Sequence, residues 1–263
     1  MSATIAKPVC FTGRDLSGRD TASVRLSPAG PGTGIWFNGD LQAKLANARA
    51  CGHATCLGRG RRSVRMVEHL LAACSGLGVT DLAVEADGAT LPLGDGSAAP
   101  YVRCLKKAGI VRYEKATAPA RLLRPVLVTQ GIRFVAAVPA AGLTINCLTR
   151  FDEFGPHFFR LVVTPASFLR TAARARTVAL TDASPAAFGR RHALRFRLKR
   201  AGRFLRAARW RYRDEPCRHK TVDLLGDLAL LGRPLEAEVF AFMPGHDLNI
   251  RFCREVQRET ETG

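Results

Sequence analysis

The sequence predicts an α+β fold made of two similar halves. Two observations carry that prediction. Short apolar pieces punctuated by Gly, Pro and Asn give way to a pair of helical patterns, and the succession of strands and two helices runs twice along the 263 residues. Between the two runs lies a polar, Pro-interrupted stretch that reads as a linker at 117–124, so the halves are expected at 1–116 and 125–263.

In the first half, Ala22–Leu26, Gly34–Phe37 and Ala54–Leu57 read as strands joined by turns. Ser63 is placed to cap a helix whose apolar stripe is Met66, Val67, Leu70, Leu71 and Cys74, with Gly76 or Gly78 as its stop. Glu68 and His69 lie inside that stripe, where a carboxylate and an imidazole are costly unless used or satisfied. Thr80–Asp87 alternates as a strand, and Leu91–Ser97 is a turn leading into a helix over Ala98–Ala108. Asp95, beside Gly96 and before that helix, fits a turn or capping role better than an acid catalyst.

The second half repeats the pattern with strands at Val126–Val128, Ile132–Val138, Leu143–Leu148 and Phe158–Val163, then a helix opening at Thr164-Pro165 and running to Arg174. Ala193–Leu198 alternates Leu and Phe against Arg and reads as a strand with a basic face. A long helix follows from Asp214, its expected N-cap, to a stop at Gly232 and Pro234. A strand over Leu235–Met243, a Pro244-Gly245-His246 turn and a helix over Asn249–Gln257 close the chain.

Composition narrows the class. With 47% hydrophobic and 24% charged residues the chain is globular and not disordered. Its most apolar stretch, 134–145, is broken by Pro139 and Gly142 and is too short to span a bilayer, and no secretion signal is recognisable, so a cytoplasmic protein is expected. Eight scattered cysteines without a Cys-x-x-Cys pair suit a reducing compartment. The net charge of +18 is the outlier. It is mostly arginine and is densest over 189–213, where no acidic residue interrupts it, so an anionic partner is expected: nucleic acid, lipid or a phosphorylated substrate.

The long helix carries the chemistry. His219, Asp223 and Asp227 stand four apart, so they rise above one another on one face and can converge on a point. The remaining positions, among them Val222, Leu224, Leu225 and Leu228, make the helix a buried one. Metal ligation and a buried hydrogen-bond network both fit this ladder. Cys217 lies about 200° round the helix from His219 and does not join it.

Five segments in order then resemble the signatures of the UDP-3-O-acyl-N-acetylglucosamine deacetylase family, zinc amidases of lipid A synthesis. They are Ser63-Val64-Arg65-Met66-Val67-Glu68-His69-Leu70-Leu71, Asp95-Gly96-Ser97-Ala98-Ala99-Pro100-Tyr101, Ala175-Arg176-Thr177, Arg218-His219-Lys220-x-x-Asp223-x-x-Gly226-Asp227 and Gly245-His246-x-Leu248-Asn249. The resemblance spans nearly the whole chain. It implies helices packed between two sheets, with His69, His219 and Asp223 holding Zn2+ where the halves meet. It also implies Thr177 as oxyanion donor, and Lys220 and Gly245 at a UDP-amino-sugar substrate.

Zinc lowers the pKa of bound water from about 15.7 to about 7, which makes it a nucleophile at neutral pH. Glu68, beside a ligand, is placed as general base. His246, oriented by Asp227, is the expected acid for the leaving amine. His53, His157 and His192 match no catalytic position. The chain departs from the family at 16–18, where no histidine precedes Ser17-Gly18, at Val178, which replaces an aromatic, and at Phe151-Asp152-Glu153-Phe154. The family's glycine-rich βαβ insert is not recognisable between Leu180 and Arg213. Three readings follow: the family deacetylase, a deacetylase of another N-acyl amino sugar, and a nucleic-acid-binding protein on the same scaffold. The first, as a monomer able to touch an anionic membrane surface, is expected.

Overall fold

The computed structural model describes residues 2–15, 21–114, 117–151, 155–181, 194–198, 204–206 and 210–261. The departures at Leu16-Ser17-Gly18 and Asp152-Glu153-Phe154, and most of the arginine-rich run, lie outside them.

The fold is α+β. Five strands of the first part form a sheet in the spatial order Val9–Arg14, Thr21–Ser27, Leu82–Asp87, Ile35–Phe37, Leu41–Gln42. A second sheet runs Val126–Gln130, Arg133–Pro139, Leu235–Phe242, Leu143–Phe151, Gly155–Val162. In both, an outer antiparallel pair meets a parallel neighbour, and strict alternation turns one row of side chains inward: Ala22, Val24 and Leu26 in the first, Ala237, Val239 and Ala241 in the second.

The helices are α1 (Glu68–Leu77), α2 (Ala99–Ala108), α3 (Pro165–Thr171), α4 (Glu215–Leu228) and α5 (His246–Glu261). α2 packs on Val9–Arg14, α4 on Leu143–Phe151 and Gly155–Val162, and α5 on Val126–Gln130, while α1 and α4 pack on each other. One continuous core results, with Leu70, Leu71, Val222, Leu224 and Leu225 fully buried. Two helix glycines mark close approaches between elements. A Cβ on Gly226 would lie 2.2 Å from the Glu68 carbonyl oxygen, and one on Gly76 would lie 2.2 Å from the Phe168 ring.

Several local readings are corrected. Ser63 does not cap α1; it lies in the strand Arg62–Arg65, hairpin partner of Ala54–Arg59, and its hydroxyl donates to Gly60. The chain instead reverses at Met66, which takes a left-handed φ of 64°, and α1 begins at Glu68 with no side-chain cap. Asp214 makes no capping hydrogen bond either, because its carboxylate accepts from Arg218 at 2.6 Å, one turn on. α5 begins at His246, three residues earlier than the pattern suggests, since the Gly245 carbonyl already accepts the Asn249 amide. The linker is not featureless: Ala120–Arg121 pairs in parallel with Leu235–Glu236.

The region in which no insert was recognisable contains a small sheet. Val178–Thr181 pairs in parallel with Leu194–Leu198, which pairs antiparallel with Phe204–Arg206. The strand read over Ala193–Leu198 is therefore present at Leu194–Leu198, and the residues joining it to Val178–Thr181 lie outside the described ones. Thr164 caps α3 through a reciprocal pair with Ser167, with Pro165 at the first helical position as expected; the helix ends at Thr171, short of Arg174.

Candidate metal centre and active site

α4 delivers its ladder as its spacing dictates. His219, Asp223 and Asp227 are all buried on the face turned toward α1 and α5. The first turn of α1 brings His69 to the same point: its Nε2 lies 3.7 Å from Asp223 Oδ1, and His219 Nε2 lies 3.1 Å from the same oxygen. The two imidazoles stand at 83° with centroids 5.0 Å apart, and the potential ligand atoms of His69, His219 and Asp223 all lie within 4.8 Å of one another. His219 Nδ1 meets the Ala175 carbonyl at 3.0 Å, which fixes the tautomer and leaves Nε2 free as a donor atom. Burial raises the Asp223 carboxyl, but His219, Lys220 and His69 outweigh it and hold it well below the usual range. Two imidazole nitrogens and an ionised carboxylate converging on one point fit a divalent metal ion of the zinc type.

Glu68 precedes His69 and is equally buried. Burial raises its carboxyl, opposed by the nearby His246 and His69 imidazoles, and its Oε2 accepts the Thr55 amide at 3.0 Å. Across the site, Asp227 Oδ2 accepts from His246 Nδ1 at 2.8 Å and from Asn249 Nδ2 at 2.9 Å. Burial pushes His246 down, yet the Asp227 carboxylate, helped by Glu68 and Asp223, raises it to about 10, so its ring is protonated at neutral pH.

Of the remaining expected residues, Lys220 is part-buried with Nζ 3.5 Å from Asp223 Oδ2. Thr177 sits two residues beyond Ala175 and is anchored by its amide to the Gly96 carbonyl at 2.7 Å. Gly245 lies against Arg133, whose guanidinium pairs with Asp247 at 2.8 Å; a Cβ on Gly245 would come within 2.7 Å of Arg133 Nη2. Neither Thr177 nor Gly245 is brought to the ligand cluster by a hydrogen bond among the described residues. Asp95 has the structural role expected of it: Oδ1 accepts both the amide and the hydroxyl of Ser97, and Oδ2 pairs with Arg211 at 2.8 Å. Cys217 points away, its thiol donating to the Cys147 carbonyl.

Sequence reasoning missed Thr55. Its amide holds Glu68, while its hydroxyl donates to Asp227 Oδ1 at 2.5 Å and meets His246 Nδ1 at 3.0 Å, so one strand residue touches three site groups. No spacing rule links Thr55 to residues 172 and 191 positions away. Glu215 was missed as well. Fully buried at the start of α4, it accepts the Arg176 amide at 3.0 Å and its guanidinium at 2.8 Å, and it clamps the 175–177 segment that holds His219.

A buried His/His/Asp cluster beside a glutamate and a His–Asp pair defines a metal-dependent hydrolase. A family model described as UDP-3-O-acyl N-acetylglycosamine deacetylase matches residues 2–258, and the chain belongs to that family; it is a deacetylase. Relatives named UDP-3-O-acyl-N-acetylglucosamine deacetylase include one from Chlamydia pneumoniae, 30% identical over 98% of this chain and 97% of its own. Another, from Oleidesulfovibrio alaskensis, is 33% identical over 98% and 89%, and one from Trichormus variabilis is 30% identical over 96% and 97%. With the family established, the nucleic-acid-binding reading of the charge is set aside.

Proposed function

We propose that this chain hydrolyses the N-acetyl amide of UDP-3-O-acyl-N-acetylglucosamine, releasing acetate in lipid A synthesis, with Zn2+ held by His69, His219 and Asp223. The observation that carries the reading is the convergence of those three buried side chains beside Glu68, in a chain of this family. A divalent ion there supplies Lewis acidity toward water and the amide carbonyl.

The chain's own residues do the rest. Glu68 takes the proton of the attacking water. The Thr177 hydroxyl donates to the carbonyl oxygen as negative charge gathers on it. His246, kept protonated by Asp227, gives its proton to the amine as the C–N bond breaks, so the products leave as acetate and a free amino sugar. Lys220, part-buried beside the cluster, meets the anionic substrate, and Gly245 contributes to the substrate site.

Thr55 acts as a positioning residue that holds Glu68 and the His246–Asp227 pair in one frame. The site then forms where the part at 1–116 meets the part at 125–263, joined through 117–124. The scattered free thiols suit action in the reducing cytoplasm, and the chain is taken to act as a monomer. No helix among the described residues is long and apolar enough to cross a membrane.

The test is acetate release from that substrate by zinc-loaded protein, beside Glu68→Ala and His246→Ala and a metal analysis. Turnover abolished by both substitutions, with about one zinc per chain retained, is the expected result. Bound zinc without turnover would move the substrate to another N-acyl amino sugar, and no zinc would overturn the metal assignment.

A further inference from the structure

The two main sheets serve as each other's control. Each buries one face on the core, and the other face is free to be polar. The first sheet follows that rule: Thr12, Arg14, Ser23, Arg25, Glu85 and Asp87 point outward, with Arg25 near Glu85 and Ser23 donating to Asp87. The second sheet breaks it. Its register sets Thr129, Phe134, Phe242, Leu148 and Phe158 side by side in one outward row across all five strands. Leu127 and Phe240 stand in the next row, and Val138 and Val162 in the one beyond.

Phe158 is exposed by 58%, Leu127 by 64% and Val162 by 51%, with Leu148, Phe240 and Val138 also exposed and Phe134 and Phe242 half-buried between them. Scattered single apolar residues on a surface are ordinary, but a contiguous face of them marks an interaction site.

Charge selects the occupant. Among the described residues the acidic groups on this face are paired, Glu238 with Arg160 at 2.9 Å and Glu236 with Arg121 at 2.6 Å. Arg150, the next outward residue after Leu148, is exposed and has no acidic partner among the described residues. The chain as a whole carries +18, so a second copy would be repelled and an anionic surface attracted. Aromatic and aliphatic side chains set beside an exposed arginine are the pattern that enters a headgroup boundary.

We propose that the outward face of the second sheet docks on an anionic lipid bilayer, with Phe158, Leu148, Phe240 and Leu127 entering the boundary and Arg150 meeting lipid phosphate. No catalytic residue takes part, so this inference stands or falls independently of the proposed reaction. If that reaction is right, docking puts the enzyme where a molecule with a long acyl chain partitions.

The test is co-sedimentation of the full chain with phosphatidylcholine vesicles and with vesicles containing added phosphatidylglycerol. The protein is expected on the anionic vesicles and largely absent from the neutral ones. The double variant Phe158→Ser/Phe240→Ser should lower that binding at least about tenfold, and Arg150→Glu should weaken it independently. Arg25→Glu on the first sheet should have a smaller effect than Arg150→Glu. Thermal melting and deacetylase activity on a detergent-dispersed substrate should be unchanged in the serine variant. Three results would overturn the proposal: equal partition onto both vesicle types, binding that the serine pair leaves intact, or a concentration-dependent dimer in analytical ultracentrifugation that the same substitutions dissolve.

Discussion

α1 and α4 both feed the proposed metal centre, but they do so differently. α4 presents His219, Asp223 and Asp227 as a ladder over two turns, each rung placed by the helix itself. α1 offers Glu68 and His69 from adjacent positions, about 100° apart on the helix, so they cannot share a direction. They reach one site only because the start of α1 is aimed at it by the left-handed turn at Met66 and by the close contact with Gly226. The ladder is thus a property of one helix. The Glu68–His69 pair is a property of how two helices meet.

That difference predicts separable failures. On the ladder side, His219→Ala or Asp223→Ala should remove the metal itself, lowering bound zinc by well over about 10-fold and abolishing turnover; elemental analysis beside an acetate assay reads both. On the α1 side, Glu68→Gln should leave zinc in place while kcat falls by ~10²–10⁴. Chelation of the wild type and readdition of zinc should restore activity, which the Asp223 variant cannot recover. Loss of zinc in Glu68→Gln would show that the two helices cannot be separated in this way.

The lowest rung of the ladder reports through His246. Because the Asp227 carboxylate is what raises His246 to about 10, removing its charge lets the imidazole fall. The acid is then lost at lower pH, so the alkaline limb of the pH–rate profile should move down in Asp227→Asn. A limb that stays put would assign it to a group other than His246.

The same contrast explains what was legible in the sequence. The i, i+4 spacing of His219, Asp223 and Asp227 is local, and the apolar residues around it announce burial, so the ladder can be read before any fold is known. Glu68 and His69 stand out only as a costly pair in an apolar stripe; their use became readable through resemblance. Thr55 gives no local signal at all, since an ordinary threonine in an alternating strand looks like packing, and the partners of its hydroxyl lie in another part of the chain. Ser63 and Asp214 mislead for the opposite reason. Each is a good local cap, but a hairpin claims Ser63 and Arg218 claims Asp214. The pairing of Val178–Thr181 with Leu194–Leu198 escaped notice because it joins strands distant in sequence, although the second strand itself was legible from its alternation.

Thr55 ties α1 to the lower end of the ladder, and a smaller change there sharpens the comparison. Thr55→Val keeps the backbone bond to Glu68 but deletes the hydroxyl from Asp227 and His246, so kcat should fall by roughly 10–100-fold, the usual range for outer-shell partners, with KM and bound zinc little changed. Thr55→Ser restores the hydroxyl and should recover most of the rate. A valine variant that loses kcat and stability together, with no rescue by serine, would reduce Thr55 to packing.

The mildest perturbation acts on the helix contact without touching a polar group. In Gly226→Ala the added methyl would meet the Glu68 carbonyl at 2.2 Å, and that atom is backbone, so α1 and α4 must separate. Overpacking of this kind costs about 1–3 kcal/mol, readable as a lowered denaturation midpoint. The ladder moves as one body with α4, so His219 and Asp223 keep their mutual geometry while Glu68 and His69 shift away from it. Weaker zinc binding and a reduced kcat should therefore appear together with the stability loss, and Gly226→Ser should be at least as damaging. If the alanine variant lost stability yet kept its zinc affinity and its rate, the position of α1 relative to α4 would be set by something other than the Gly226 contact, and the Met66 turn would become the element that aims the base.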